Sequence, residues 1–253
     1  MNLIYKNPGL TYSIDSILEF QGEEQSEWWR ESLFIFYTEI NREKFDSLSR
    51  TLQAEYLTEC LDRVYRKNEK EIEEKIVTYT RHWEIYRNQI QAALSDAFQL
   101  DVSNKYNHIV GNIGLNPICP RYLDTTSFDV FYRNSEKGAL GMALHEIIHF
   151  VWFDVWNNYF GDDANDYETP HLKWVLSEMV VDPIMRNDER LHRINPYFND
   201  GCVYEYFYAM KIDGKPILET LYGMYDKTDI HSFMEQSYAY CKKHEGDIRK
   251  QMQ

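Results

Sequence analysis

Apolar residues recur along this chain at two different periods. Over residues 23–100, positions such as Trp28, Leu33, Phe36 and Tyr37, then Leu48, Leu52, Tyr56, Leu57 and Leu61, return at intervals of three and four among charged neighbours. That spacing predicts two or three long amphipathic helices. Within it, the run RKNEKEIEEKI reads as an exposed, solvated face. Over residues 101–133 the period shortens: NHIVGNIGL and TSFDVFYR are rich in β-branched and aromatic residues, and the Pro-containing NPICPRY separates them. A small sheet is expected there. Helical spacing returns over residues 138–158, 171–186, 217–225 and 229–243, with Thr228 or Asp229 as N-cap of the last. The fold class that follows is α+β and predominantly helical, with an N-terminal helical region over 1–100 and a second domain over 101–253.

Composition narrows the partners. The formal charge is −14 over 253 residues, so nucleic acid backbones and anionic membrane surfaces would be repelled, whereas neutral or basic peptides would not. No 18-residue apolar run occurs, and MNLIYKNPGLTYSIDS has neither a basic segment nor an apolar one of the kind that opens a secretory signal. A cytoplasmic protein is expected. The four cysteines, at 60, 119, 202 and 241, show no CxxC spacing and read as reduced thiols rather than a disulfide framework or a thiolate metal site.

The chemistry is concentrated in GMALHEIIHFVWFDVW, residues 141–156. Residues i and i+4 of a helix lie about 40° apart around the axis and about 6 Å along it, so His145 and His149 share a face and can bind one metal ion. Glu146, offset by about 100°, is placed to reach a water at that ion rather than to ligate it. Met142, Ala143, Leu144, Ile147, Ile148, Phe150, Val151 and Trp152 make the helix apolar nearly all round. It should therefore be buried, and an unpartnered His-Glu-His set would be costly inside it. A catalytic zinc takes three protein ligands. Downstream, HLKWVLSEMVVDPIMRN supplies Glu178 on a predicted helix, with Asp182 one turn on, where it can orient a ligand imidazole. Asp154, His171 and Asp182 are the next candidates for the third ligand.

HEIIH at 145–149 followed by SEMVVD at 177–182 resembles the gluzincin zinc metallopeptidases, the thermolysin-like group. The likeness covers about residues 101–243 and includes neither a G-x-M-E-N element nor an H-x-x-G-x-x-H element, so it points to an outlying member. It implies a thermolysin-like core with a small sheet ahead of the active-site helix. It further implies His145, His149 and Glu178 as zinc ligands, Glu146 as general base, and Asp182 as partner of His145. The segment SFDVFY (Ser127, Phe128, Asp129, Val130, Phe131, Tyr132) is similar to the edge strand on which such enzymes lay a peptide or protein substrate. The family usually adds a Tyr or His at the oxyanion; Tyr204, Tyr206, Tyr208, His192 and His231 are available, with Tyr204 and His231 put forward and a structural role open for each. Phe128, Phe131, Trp152 and Trp156 suggest either an apolar specificity pocket or core. The acidic loop GDDANDYE lacks the EF-hand glycine and final glutamate and reads as solvated. The function implied is zinc-dependent peptide hydrolysis. The alternative is a metallopeptidase-fold regulatory or protein-binding module with little or no general peptidase activity, docking through its N-terminal helices.

Overall fold

A computed structural model of the chain describes every residue except 24, 162, 163, 195–202 and 253. Its elements run β1 (Leu3–Lys6), α1 (Leu10–Glu19), α2 (Glu27–Phe36), α3 (Arg42–Asp46), α4 (Arg50–Phe98), β2 (Ile109–Gly114), β3 (Arg121–Tyr122) and β4 (Ser127–Phe131). Then follow α5 (Glu136–Phe160), α6 (Leu172–Arg186), α7 (Glu189–Ile194), α8 (Glu205–Ala209), β5 (Lys211–Ile212), β6 (Lys215–Pro216), α9 (Ile217–Met224), α10 (Ile230–Lys243) and α11 (Glu245–Gln251). The class is α+β and predominantly helical. The N-terminal pattern resolves differently from two or three long helices. Nothing in α4 breaks it, since its 49 residues include neither glycine nor proline. The helices ahead of it are short, and Asn41 caps α3 by accepting from the Lys44 amide at 2.8 Å.

By their contacts the residues form two compact units, one of residues 1, 84–107 and 140–253, the other of 2–83 and 108–139. The division does not fall at residue 100: α4 and α5 each contribute to both units.

In the unit of residues 2–83 and 108–139, a sheet has the order β1-β2-β4-β3. β1, β2 and β4 are parallel and β3 is antiparallel to β4. Every residue of β2 and β4 is buried, as expected of parallel strands covered on both faces. Gly111 pairs with Tyr5, and a Cβ at 111 would stand 2.6 Å from the Tyr5 ring. Only glycine lets these strands approach.

The expected substrate edge is not an edge. β4 lies between β2 and β3, and the Pro-containing turn folds back to cover the groups that would have faced a peptide. The Asp129 amide donates to the Pro120 carbonyl at 2.8 Å, the Phe131 amide to the Cys119 sulfur at 3.2 Å, and the Tyr132 amide to the Gly114 carbonyl at 3.0 Å. Ser127, Phe128, Asp129, Val130, Phe131 and Tyr132 are all buried. Asp129 instead anchors α1: its carboxylate accepts from the Tyr12 hydroxyl at 2.8 Å, the Ser16 hydroxyl at 2.5 Å and the Asn112 amide at 3.2 Å.

In the other unit, α5 and α6 are apolar nearly all round and sit in the core. α6 packs against α7, α9 and α10. The capping expected near residue 229 is present, with the Asp229 carboxylate accepting from the Ser232 amide at 2.9 Å. Asp213 and Gly214, both at positive φ, turn β5 into β6, the Asp-Gly chemistry of a two-residue hairpin. No helix among the described residues is long and apolar enough to cross a membrane. Cys119 and Cys241 are buried free thiols and Cys60 is a half-buried one; Cys202 lies outside the described residues.

Candidate metal centre

The packing of α5 fixes where its polar residues point. Leu144, Ile147, Ile148 and Val151 are fully buried around the helix, so it cannot turn its histidines outward without exposing them. His149 is completely buried, Glu146 nearly so, and His145 half-buried. Phe153 stacks on the His149 ring at 6.4 Å and so limits its rotation. The ligating atoms of His145, Glu146 and His149 all lie within 4.8 Å of one another, and this group could hold a metal ion.

A fourth group joins from α6, where Glu178 is buried to 4% exposure. The Nε2 atoms of His145 and His149 are 2.9 Å apart; Glu178 Oε2 is 3.2 Å from the first and Glu178 Oε1 3.5 Å from the second. Donors held about 2.0–2.2 Å from a tetrahedral divalent ion stand about 3.3 Å from one another, and these three separations bracket that edge. Burial alone would raise the Glu178 carboxyl. The charges and hydrogen bonds of His149 and His145 outweigh it and hold the carboxyl well below the usual carboxylate range. The same contacts are those of a buried ion pair between Glu178 and a protonated imidazole, and with neutral imidazoles the group could hold a cation.

Asp182 takes a different partner from the one expected. It is buried on α6, and its carboxylate lies 3.0 Å from Arg186 one turn on, rather than against His145. Arg186 in turn donates to Glu219 at 2.6 Å and lies over the Tyr222 ring at 4.1 Å. Burial raises the Asp182 carboxyl, with Arg186 opposing it. The Asp182–Arg186 contact is an ion pair by distance but is not aligned as a hydrogen bond, so its distance says more about charge than about orientation.

The other third-ligand candidates are engaged elsewhere. Asp154 accepts from the Tyr106 hydroxyl at 2.8 Å and pairs with Lys105. His171 caps the start of α6, 3.8 Å from Asp166. Of the acidic loop, Asp162 and Asp163 lie outside the described residues, while Asp166 pairs with Lys173 at 2.9 Å.

His231 stacks on the Tyr159 ring at 4.1 Å, and this, not the cluster, is its contact. His192 is exposed on α7. Tyr204 precedes α8 and stacks in parallel with Tyr206 at 5.4 Å. Tyr208 is exposed. Among these, Tyr206 feels the site. Burial raises its hydroxyl pKa, and the Glu178 carboxylate raises it further, which places the two groups in electrostatic reach. The alternating tyrosines suit a strand as well as the short helix they form, so spacing alone could not single out Tyr206. Phe128, Phe131, Trp152 and Trp156 are 0–4% exposed and belong to the core rather than to a pocket.

No family model, curated protein or solved structure matches this chain.

Proposed function

We propose that this chain is a zinc-dependent peptidase of the gluzincin type, with a thermolysin-like succession of an HExxH helix and a glutamate-bearing helix. The observation that carries the reading is the convergence of His145 Nε2, His149 Nε2 and the Glu178 carboxylate at 2.9–3.5 Å, with Glu146 beside them. Two imidazoles and a carboxylate suit zinc, and three protein ligands leave one position open for chemistry. His145, His149 and Glu178 would hold the ion. When bound, zinc supplies a Lewis acid that polarises a carbonyl and makes a neighbouring water more acidic.

Glu146 is the general base. It accepts a proton from the attacking water and returns it to the departing amine, as the one carboxylate of the cluster not committed to the ion. Tyr206 remains protonated at neutral pH, because burial and Glu178 both raise it, and we assign it the role of donor to the developing oxyanion. Phe153 and the buried face of α5 keep bulk water from this chemistry.

One observation favours the second reading, a metallopeptidase-fold binding module with little or no peptidase activity. β4 is paired on both sides, which withdraws the strand on which an extended peptide was expected to lie. A substrate must then be held by side chains and by the ion rather than by strand addition.

Elemental analysis with a broad peptide-library assay distinguishes the two, using the unaltered chain and Glu146→Gln. About one zinc per chain in both is expected, with hydrolysis reduced by at least about 100-fold in the variant. Zinc without hydrolysis in either would establish the binding module. Equal hydrolysis by both would remove Glu146 from the mechanism.

A further inference from the structure

Away from the histidine cluster, within the unit of residues 2–83 and 108–139, a cavity of about 400 Å³ lies among Glu39, Lys67, Asn68, Glu71, Tyr132 and Arg133. That volume falls in the range of small-molecule sites. Its arginine is held in place by a hydroxyl and aromatic rings, with Glu39 acting on it only through charge. Arg133 Nε donates to the Tyr132 hydroxyl at 2.9 Å, and the guanidinium lies 5.4–5.8 Å from the ring centres of Tyr37, Phe131 and Tyr132. These contacts fix the planar fork while leaving its two terminal nitrogens without an acceptor among the described residues. Lys67, in the same cavity, has no ion pair among the described residues either. For the arginine this is unexpected in a chain with 41 acidic side chains against 27 basic ones, where most arginines have a carboxylate within reach.

The acidic lining residues are not equivalent. Glu71 is 3.7 Å from Lys75, which neutralises it, whereas Glu39 has no ion pair among the described residues and acts on Arg133 from beyond ion-pair distance. Lys67 and Arg133 therefore present two positive charges with no carboxylate at ion-pair distance among the described residues, and Glu39, which acts on Arg133 from farther off, presents one negative charge. The complement of that set is a ligand with two carboxylates and one ammonium. A planar carboxylate matches the fork of a guanidinium in bidentate fashion, and a phosphate dianion would bring no cation to Glu39.

We propose that this cavity binds an amino dicarboxylate, the aspartate and glutamate class, with Arg133 and Lys67 on the carboxylates and Glu39 on the ammonium. The same chemistry is carried by a free acidic amino acid and by an acidic residue at the N-terminus of a peptide. A peptide-linked residue keeps its ammonium but gives up its α-carboxylate, so the two sources separate by experiment.

Isothermal titration of the full chain with L-glutamate, L-aspartate, N-acetyl-L-glutamate, a C-terminally amidated dipeptide of glutamate followed by alanine, and inorganic phosphate reads the proposal directly. Saturable binding of one or both free amino acids is expected. Acetylation should weaken it by about 10-fold or more, the scale of one charge-assisted hydrogen bond. Binding of the dipeptide as tight as that of the free amino acid would make the peptide end the ligand and one carboxylate sufficient, which overturns the two-carboxylate assignment. Arg133→Ala and Lys67→Ala, both at exposed positions, should each weaken glutamate by about 10-fold or more with unchanged circular dichroism. Glu39→Gln should abolish the preference for the free over the acetylated ligand. No saturable binding of either amino acid at 10 mM, phosphate binding at least as tightly, or unchanged affinity in Arg133→Ala would overturn it.

Discussion

Asp129 is the best place to test whether the architecture has been understood, because its environment makes a signed, pH-dependent prediction. The carboxyl is 3% exposed. Burial is the largest influence and raises it; the donors Ser16, Tyr12 and Asn112 lower it and Glu19 raises it again, leaving it at about 6 against an ordinary 3.8. A carboxyl raised on folding is more readily protonated in the native state than in the unfolded one. Its favourable contribution is therefore complete below about pH 4 and is lost as pH rises through about 6. The shift of about 2.2 units, at 1.36 kcal/mol each, sets the loss at about 3 kcal/mol as an upper figure. Asp129→Asn keeps the shape and removes the titration. The new amide oxygen can take the hydrogen bonds of Tyr12 and Asn112, and the Ser16 hydroxyl can reorient to accept from the new NH2 group. Urea unfolding of both proteins between pH 4.5 and 7.5, followed by circular dichroism, gives the difference in stability at each pH. That difference should move in the variant's favour as pH rises, by about 1–3 kcal/mol across the range. A difference that stays flat would refute the claim that the Asp129 proton is taken up on folding.

Further expectations concern the metal centre. Glu178→Ala should lose most of its zinc, since a ligand is removed; unchanged zinc affinity, measured against a competing chelator, would place the third ligand elsewhere. Asp182→Ala, by contrast, leaves Arg186 without its buried counter-charge, and should lower the unfolding midpoint while changing zinc affinity by less than about 10-fold, where a direct partner of a ligand histidine would cost about 10 to 100-fold. Tyr206→Phe should leave metal content untouched and lower kcat by about 10-fold or more with little change in KM, the pattern of an interaction made mainly in the transition state; an unchanged kcat would exclude Tyr206 from the oxyanion site.

What could be read from the sequence follows from how local each signal is. The α5 and α6 helices, their burial and the facing of His145 and His149 follow from spacing within two turns, and all are observed. That Glu178 meets both imidazoles is a long-range fact, and its position one helix later made it only a candidate. The segment SFDVFY was legible as a strand but not as an interior one. Its neighbours are set by β3, two residues long, and by β1, which pairs with β2 across more than a hundred residues. Neither strand is long enough to show periodicity. Asp129, polar in the middle of that strand, is satisfied by side chains from α1 and β2 that no local pattern identifies. Asp182 was expected beside His145 from the gluzincin resemblance; Arg186, at i+4 on the same helix, was the nearer electrostatic partner.

The pairing of β1 with β2 sets an order of events during synthesis. Leu3 and Ile109 are register partners, 109 − 3 = 106 residues apart. At about 5–20 residues per second, β1 on the nascent chain waits roughly 5–20 s for its neighbour to be made, and longer for that neighbour to clear the ribosome. During that interval Leu3 and Tyr5, buried in the finished sheet, have no sheet to enter. A fragment ending near residue 100 would hold them permanently in that condition. Such a fragment should be recovered bound to chaperones or as aggregate, whatever the intrinsic helicity of α4.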